Sequence, residues 1–333
     1  MAVIYVKEQG AYVKKINNRI VVEKNRCKIA DIPVNTVTDL SIMGNVQITT
    51  QALHLLMEKG IDVNYFTYSG KYLGQLGAES SKNIFLRFEQ YARYQDMEER
   101  LKMGRIIVSN KIDNQIEVIK NYNWKGMDYN YKDDITSIER IKMTIKDKST
   151  NNELMGIEGS CSQIYFRSFG KMFRGEIQFE KRNRRPPKDP VNVILSLAYT
   201  LLTKEVEATL DANSFETYLG FLHGIRYGRK SLALDIVEEF RQPVVDRLVV
   251  RLFNLGTLNQ LDFEMLEDKV ILTEGGFQKF CTSYEKWMNQ PVSVHDNRSF
   301  RQIIRIQTDI LKKAIREKGE YTPYRWRCDD VSN

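Results

Sequence analysis

The spacing of apolar residues changes abruptly near residue 80, and this change limits the fold more than any single motif. Before it, short runs rich in Val, Ile, Tyr and Thr recur at Ala2–Val6, Ala11–Ile16, Ile20–Val22, Cys27–Ile32, Val37–Ile42, Val63–Thr67 and Tyr72–Leu76. Asn17-Asn18, Asn25, Pro33-Val34-Asn35 and Ser69-Gly70 punctuate these runs, as turn residues do between strands. Thr49 to Lys59 departs from the alternation: Ala52, Leu55, Leu56 and Lys59 are spaced as on a short amphipathic helix that Gly60 stops.

After residue 80 the apolar positions recur at three and four. This predicts helices over Ile84–Ile107, Asn114–Asn123, Ile135–Ile145, Gly156–Phe169, Val191–Ala208, Ser231–Asn254, Glu274–Trp287 and Ser299–Lys318. No fixed-period repeat occurs, which argues against a solenoid. The expected class is α+β: a small N-terminal β-sheet domain over residues 1–80 carrying one helix, then a larger all-α domain over 81–333.

Composition removes several alternatives. The 333 residues are 42% hydrophobic, enough for a sizeable core and too many for a disordered chain. The 4 cysteines, Cys27, Cys161, Cys281 and Cys328, form no Cys-x-x-Cys pair, so a zinc ribbon or a disulfide scaffold is not expected. The run Ala2–Val6 is too short for a signal peptide. Val191–Leu202, interrupted by Asn192, Ser196, Tyr199 and Thr200, falls short of the roughly 20 residues of a membrane span. A cytoplasmic protein with no membrane partner is expected.

A net charge of +7 hints only weakly at a polyanionic partner, but its distribution is uneven. Lys181, Arg182, Arg184, Arg185 and Lys188 crowd around Pro186-Pro187; Arg226, Arg229 and Lys230 form a second group; Arg298, Arg301 and Arg305 can share a helix face. A solvated surface explains each cluster alone. Contacts to phosphates would need the same residues held in place.

Scarcity of histidine narrows the chemistry. Of the 3 present, His54 lies among leucines of the short helix and His295 precedes Asp296-Asn297, where packing or turn duty suffices. His223 stands in a glycine-rich stretch, with Gly220, Gly224 and Gly228 permitting close approach. Asp235 and Glu238 follow within an apolar helix (Leu232, Leu234, Ile236, Val237, Phe240), where a carboxylate needs a partner or a cation. In one continuous helix, 235, 238, 239 and 242 share a side. Glu158, between Gly156 and Gly159, is expected in the first turn of a helix, where the dipole alone accounts for it. Taken together, two carboxylates and one imidazole suit Mn²⁺ and accept Mg²⁺, and beside arginine clusters they fit phosphodiester chemistry. A phosphate loop, a dinucleotide fingerprint and a hydrolase nucleophile elbow are each absent.

Several motifs in order resemble one family: Met155-Gly156-Ile157-Glu158-Gly159; Asn183-Arg184-Arg185-Pro186-Pro187 with Asp189-Pro190 and Asn192; Leu222-His223 with Arg226, Gly228 and Arg229; and Ser231 through Asp235, Glu238 and Arg241. The chain resembles the CRISPR-associated endonuclease and integrase, the larger core protein of spacer acquisition. The resemblance implies an N-terminal β-domain used for dimerisation and a helical catalytic domain. It implies that Glu158, His223 and Glu238 bind Mn²⁺ or Mg²⁺ and carry catalysis; the last position is Asp in some members and Glu in this chain. Asp235 matches an auxiliary acidic position and Arg241 a basic one near the site. Arg182, Arg184, Arg185, Arg226, Arg229 and Arg241 are the expected DNA contacts. The implied partners are double-stranded and branched DNA, a second copy of the chain and a small ferredoxin-like CRISPR-associated protein. The implied reaction inserts foreign DNA fragments into the repeat array by 3′-hydroxyl attack on a phosphodiester. A metal-dependent nuclease of branched DNA and a non-catalytic DNA scaffold are the alternatives.

Overall fold

The computed structural model describes residues 2–68, 70–77, 83–183, 186–267, 269–292 and 297–327. Ser69, Arg184, Arg185, His295 and Cys328, all singled out above, lie outside them. The chain divides into two compact units, Met1–Ser80 and Ser81–Asn333.

The first unit contains β1 (Ala2–Val6), β2 (Tyr12–Ile16), β3 (Arg19–Lys24), β4 (Cys27–Pro33), β5 (Val37–Met43), β6 (Gln47–Ile48), α1 (Thr50–Glu58), β7 (Asp62–Phe66) and β8 (Tyr72–Leu76). They form two sheets, ordered β1-β5-β7-β8 and β4-β3-β2-β6. Asn17 adopts φ 53°, which closes the tight β2–β3 hairpin in the register Ile16↔Arg19. Strand and helix residues share one core: Val13, Ile20, Val22, Leu40, Ile42 and Val63 pack with Ala52, Leu55 and Leu56 of α1. Thr49 caps α1 by accepting from the Ala52 N–H, and His54 stays exposed on its outer face.

The second unit contains α2 (Ile84–Gln95), α3 (Met97–Lys120), α4 (Tyr131–Met143), α5 (Asn151–Gly170), α6 (Pro190–Ala212), α7 (Ser231–Val237), α8 (Arg247–Asn254), β9 (Phe263–Met265), β10 (Val270–Leu272), α9 (Glu274–Asn289) and α10 (Phe300–Arg316). The expectation of an all-α domain needs correction, because β9 and β10 pair as an antiparallel hairpin from Phe263↔Leu272 to Met265↔Val270. Helix boundaries also differ from the periodicity. Asp96, in extended backbone, accepts from the N–H groups of Glu98 and Glu99 and so starts a new helix inside the expected Ile84–Ile107 segment. That helix, α3, then runs unbroken to Lys120.

Two differences bear on the candidate site. Helix α5 begins at Asn151 through a capping box of Thr150 and Glu153, so Glu158 lies inside the helix and Glu153 occupies the first turn. The dipole therefore does not explain Glu158. The expected helix over Ser231–Asn254 instead yields after Val237 and passes through a π-turn over Arg241–Asp246 before α8. Pro243 is the physical cause: without an N–H it leaves the Glu239 carbonyl unbonded in the helix, and Asn114 Nδ2 of α3 donates to that carbonyl at 2.9 Å.

Candidate active site

Helix α3 carries an unusual set of buried polar side chains, Asn110, Lys111, Asn114 and Gln115. Lys111 and Gln115, one turn apart, face α5, while Asn110 and Asn114 donate to the Tyr324 carbonyl and Asn114 also to that of Glu239 just past α7. Lys111 Nζ donates to Glu158 Oε1 of α5 and lies 2.5 Å from Glu238 Oε2 at the C-cap of α7. Its side chain is only 9% exposed, so the two carboxylates converge on one buried cation. Ser162 Oγ also donates to Glu158 Oε1 at 3.0 Å and accepts from Gln115 Nε2 at 3.0 Å, which fixes the carboxylate from behind.

Glu238 is buried, and burial alone would raise its pKa. Arg241 (Nε to Oε1, 3.0 Å), Lys111 and the nearby His223 outweigh that effect and hold the carboxyl down at about 2. The Arg241 guanidinium in turn lies 4.7 Å over the Tyr199 ring. Tyr199 and Tyr165 both donate to the buried Asp246, Tyr165 at 2.7 Å, so a buried polar group lies behind Arg241.

His223 is positioned by Asp235. Its backbone N–H donates to Asp235 Oδ1 at 2.9 Å, and ring Nδ1 lies 2.7 Å from the same atom. Asp235 Oδ2 accepts from the N–H groups of Phe221 and Leu222, so one carboxylate holds three successive amides. A carboxylate only accepts, so ring Nδ1 carries a proton, and when the ring is neutral Nε2 keeps its lone pair for a cation. Gly220 makes this turn possible: a Cβ there would lie 2.7 Å from the Ser231 backbone and 2.8 Å from Asp235 Oδ2.

The structure thus brings Glu158 and Glu238 together and sets His223 close enough to act electrostatically on Glu238. Among the described residues, no three His, Cys, Asp or Glu side chains are arranged as a ready metal cage. The donor chemistry nevertheless fits a hard divalent ion: the Lys111 ammonium stands where two carboxylate oxygens meet one positive charge. Lys111 was not among the residues nominated from sequence. The signal that could have revealed it is weak: Lys111 and Gln115 stand four apart, beside the apolar positions Ile107, Val108, Ile112 and Ile116 that mark the buried side of the helix.

The nominated arginines fall into different settings. Arg182 is tied to Asn192 Oδ1 at 2.6 Å and Ser196 Oγ at 3.0 Å. Arg229 donates to the Gly224 carbonyl and to Ser231 Oγ, stapling the loop after His223. Arg241 sits against Glu238, while Arg226 is exposed at the loop tip beside the fully exposed Tyr227. Arg301, from the third cluster, is held between Glu205 and Glu285 by four contacts of 2.7–2.9 Å.

A family model described as CRISPR associated protein Cas1 matches residues 4–286. The chain belongs to the Cas1 family. Among its relatives, the CRISPR-associated endonuclease Cas1 3 of Thermus thermophilus is 32% identical, with 97% of each chain covered. A CRISPR-associated exonuclease Cas4/endonuclease Cas1 fusion of Geobacter sulfurreducens is also 32% identical over 96% of this chain; the chain spans 59% of that fusion's length. The solved structure of a Cas1 protein from Thermotoga maritima superposes with a TM-score of 0.84 at 28% identity, covering 97% of this chain and 100% of the other.

Proposed function

We propose that this protein is the metal-dependent endonuclease and integrase of CRISPR adaptation, inserting DNA fragments into the repeat array. The observation that carries this reading is the convergence of Glu158 and Glu238, from separate helices, on one cation beside the Asp235-locked His223. Glu158, Glu238 and His223 Nε2 would hold Mn²⁺ or Mg²⁺, which when bound polarises a phosphodiester and lowers the pKa of an attacking hydroxyl. Asp235 orients the imidazole, and Arg241 holds Glu238 in place and helps keep it ionised. Arg226, exposed just beyond His223, is the arginine best placed to meet a DNA phosphate. Arg182 and Arg229 support the framework by which the site is presented.

The substrate is double-stranded or branched DNA, and the attacking group is the 3′-hydroxyl of a fragment end. The first unit serves dimerisation between two copies, and a small ferredoxin-like CRISPR-associated protein completes the assembly, both as the family resemblance implies. No described helix is long and apolar enough to cross a membrane, in keeping with a cytoplasmic place of action.

The test is strand joining on a repeat-containing duplex with Mn²⁺ or Mg²⁺. Glu158→Ala, His223→Ala and Glu238→Ala proteins should lose joining while still retaining DNA. Full joining by any of the three removes the assignment. Scission of forked DNA without joined product by the wild type would make water the nucleophile and the protein a branched-DNA nuclease.

A further inference from the structure

Lys111 has a position that metal ligation alone does not require. Its ammonium pairs with both Glu158 and Glu238, one from α5 and one from the end of α7, in a setting only 9% exposed. Two carboxylates brought this close, Glu238 buried and Glu158 half-buried, repel unless a positive charge lies between them. Each keeps a second contact that does not depend on Lys111: Glu158 accepts from Ser162 Oγ at 3.0 Å, and Glu238 pairs with Arg241 at 3.0 Å. Among the described residues, Lys111 is the cation in direct contact with both acids, whereas Arg241 touches Glu238 and acts on Glu158 only at longer range.

We propose that Lys111 is a resident counter-cation of the catalytic site: it holds Glu158 and Glu238 together in the metal-free protein and must leave when a divalent ion takes its place. This inference rests on the metal-site reading above. Like charges at one point exclude each other, so the ammonium and the divalent cation compete for the same carboxylate oxygens. The two acids are thereby held together without metal, and metal uptake includes the displacement of a buried lysine.

The experiment compares wild type, Lys111→Met and Glu158→Gln full-length proteins without DNA, using Mn²⁺ alone as the probe. Calorimetric titration should give Mn²⁺ binding to Lys111→Met about tenfold tighter than to wild type, a coupling of ordinary size for linked sites. In chelator, the melting temperature of Lys111→Met should fall by about 3 °C, and Mn²⁺ should restore more of it than it adds to wild type. In wild type, acetylation of Lys111 by acetic anhydride, followed by mass spectrometry, should increase on Mn²⁺ addition relative to the other lysines; this arm needs no variant to fold. Equal or weaker Mn²⁺ binding by folded Lys111→Met, or Lys111 labelling indifferent to Mn²⁺, overturns the inference while leaving the metal site standing. Wild type that takes up no Mn²⁺, or Glu158→Gln that binds it as wild type does, overturns the metal site and the inference together.

Discussion

Asp235 holds His223 twice, through ring Nδ1 at 2.7 Å and through the backbone N–H at 2.9 Å. The same carboxylate gathers the two preceding amides, so the ring and the turn that presents it depend on one buried group. An Asp235→Asn side chain keeps the size but places an NH₂ group against donors. Strand-joining rate and Mn²⁺ affinity should both drop by about 10–100-fold, the usual effect of losing a partner behind a metal-binding histidine. Joining kinetics and calorimetry check this; unchanged values would show that the ring needs no such support.

The turn itself has little room. A Gly220→Ala methyl would press on the Ser231 backbone at 2.7 Å and on Asp235 Oδ2 at 2.8 Å, neither of which can move freely. The expected loss is about 2 kcal/mol of stability, read as a lower urea midpoint, together with impaired joining. The neighbouring Gly224 meets nothing within 4 Å, so Gly224→Ala serves as the mild comparison.

Arg226 and Arg182 should part company on mutation. Arg226 is exposed, so Arg226→Ala should weaken DNA retention on all sequences and reduce the salt slope of binding by about 0.9. Arg182 ties the 181–183 segment to α6 through Asn192 and Ser196, so Arg182→Ala should show mainly as lost thermal stability. Binding isotherms at several salt concentrations, paired with melting curves, separate the two; the reverse pattern would exchange the roles.

Asp246 makes stability depend on pH. Burial raises its pKa from 3.8 to about 6, against the opposing hydroxyls of Tyr199 and Tyr165 and the charges of Arg241 and Arg182. Because the folded value lies above the unfolded one, the folded protein keeps a proton that the unfolded chain releases between these values. Stability is therefore greatest below pH 4 for this group and declines as pH rises through 6, by an amount on the order of 3 kcal/mol. Asp246→Asn should flatten that component: urea midpoints of wild type relative to the variant should fall between pH 4 and pH 7. Parallel midpoints would show that Asp246 does not titrate in that window.

The two-part organisation was legible in the amino-acid order because strand and helix periods are local properties of a few turns of chain. The period-two pairs Ile20 with Val22 and Leu40 with Ile42, and the spacing of Ala52, Leu55 and Leu56, mark the faces that meet in the first core. His223 could be singled out by the rarity of its type, and Glu158 and Glu238 by motif order. Helix continuity was less legible, since Asp96 caps a new helix and Pro243 opens a π-turn inside stretches whose apolar spacing runs on.

Tertiary structure alone decided what these side chains face. Lys111 meets Glu158 and Glu238 only because α3 packs against α5 and beside the end of α7, and no local pattern encodes that crossing. The arginine clusters show the same limit: composition counts their charges, but only the folded neighbours reveal that Arg182, Arg229 and Arg301 spend theirs on internal partners while Arg226 keeps its own exposed. Periodicity selects which face of a segment is buried, whereas the partner on the other side comes from contacts between residues far apart in the chain.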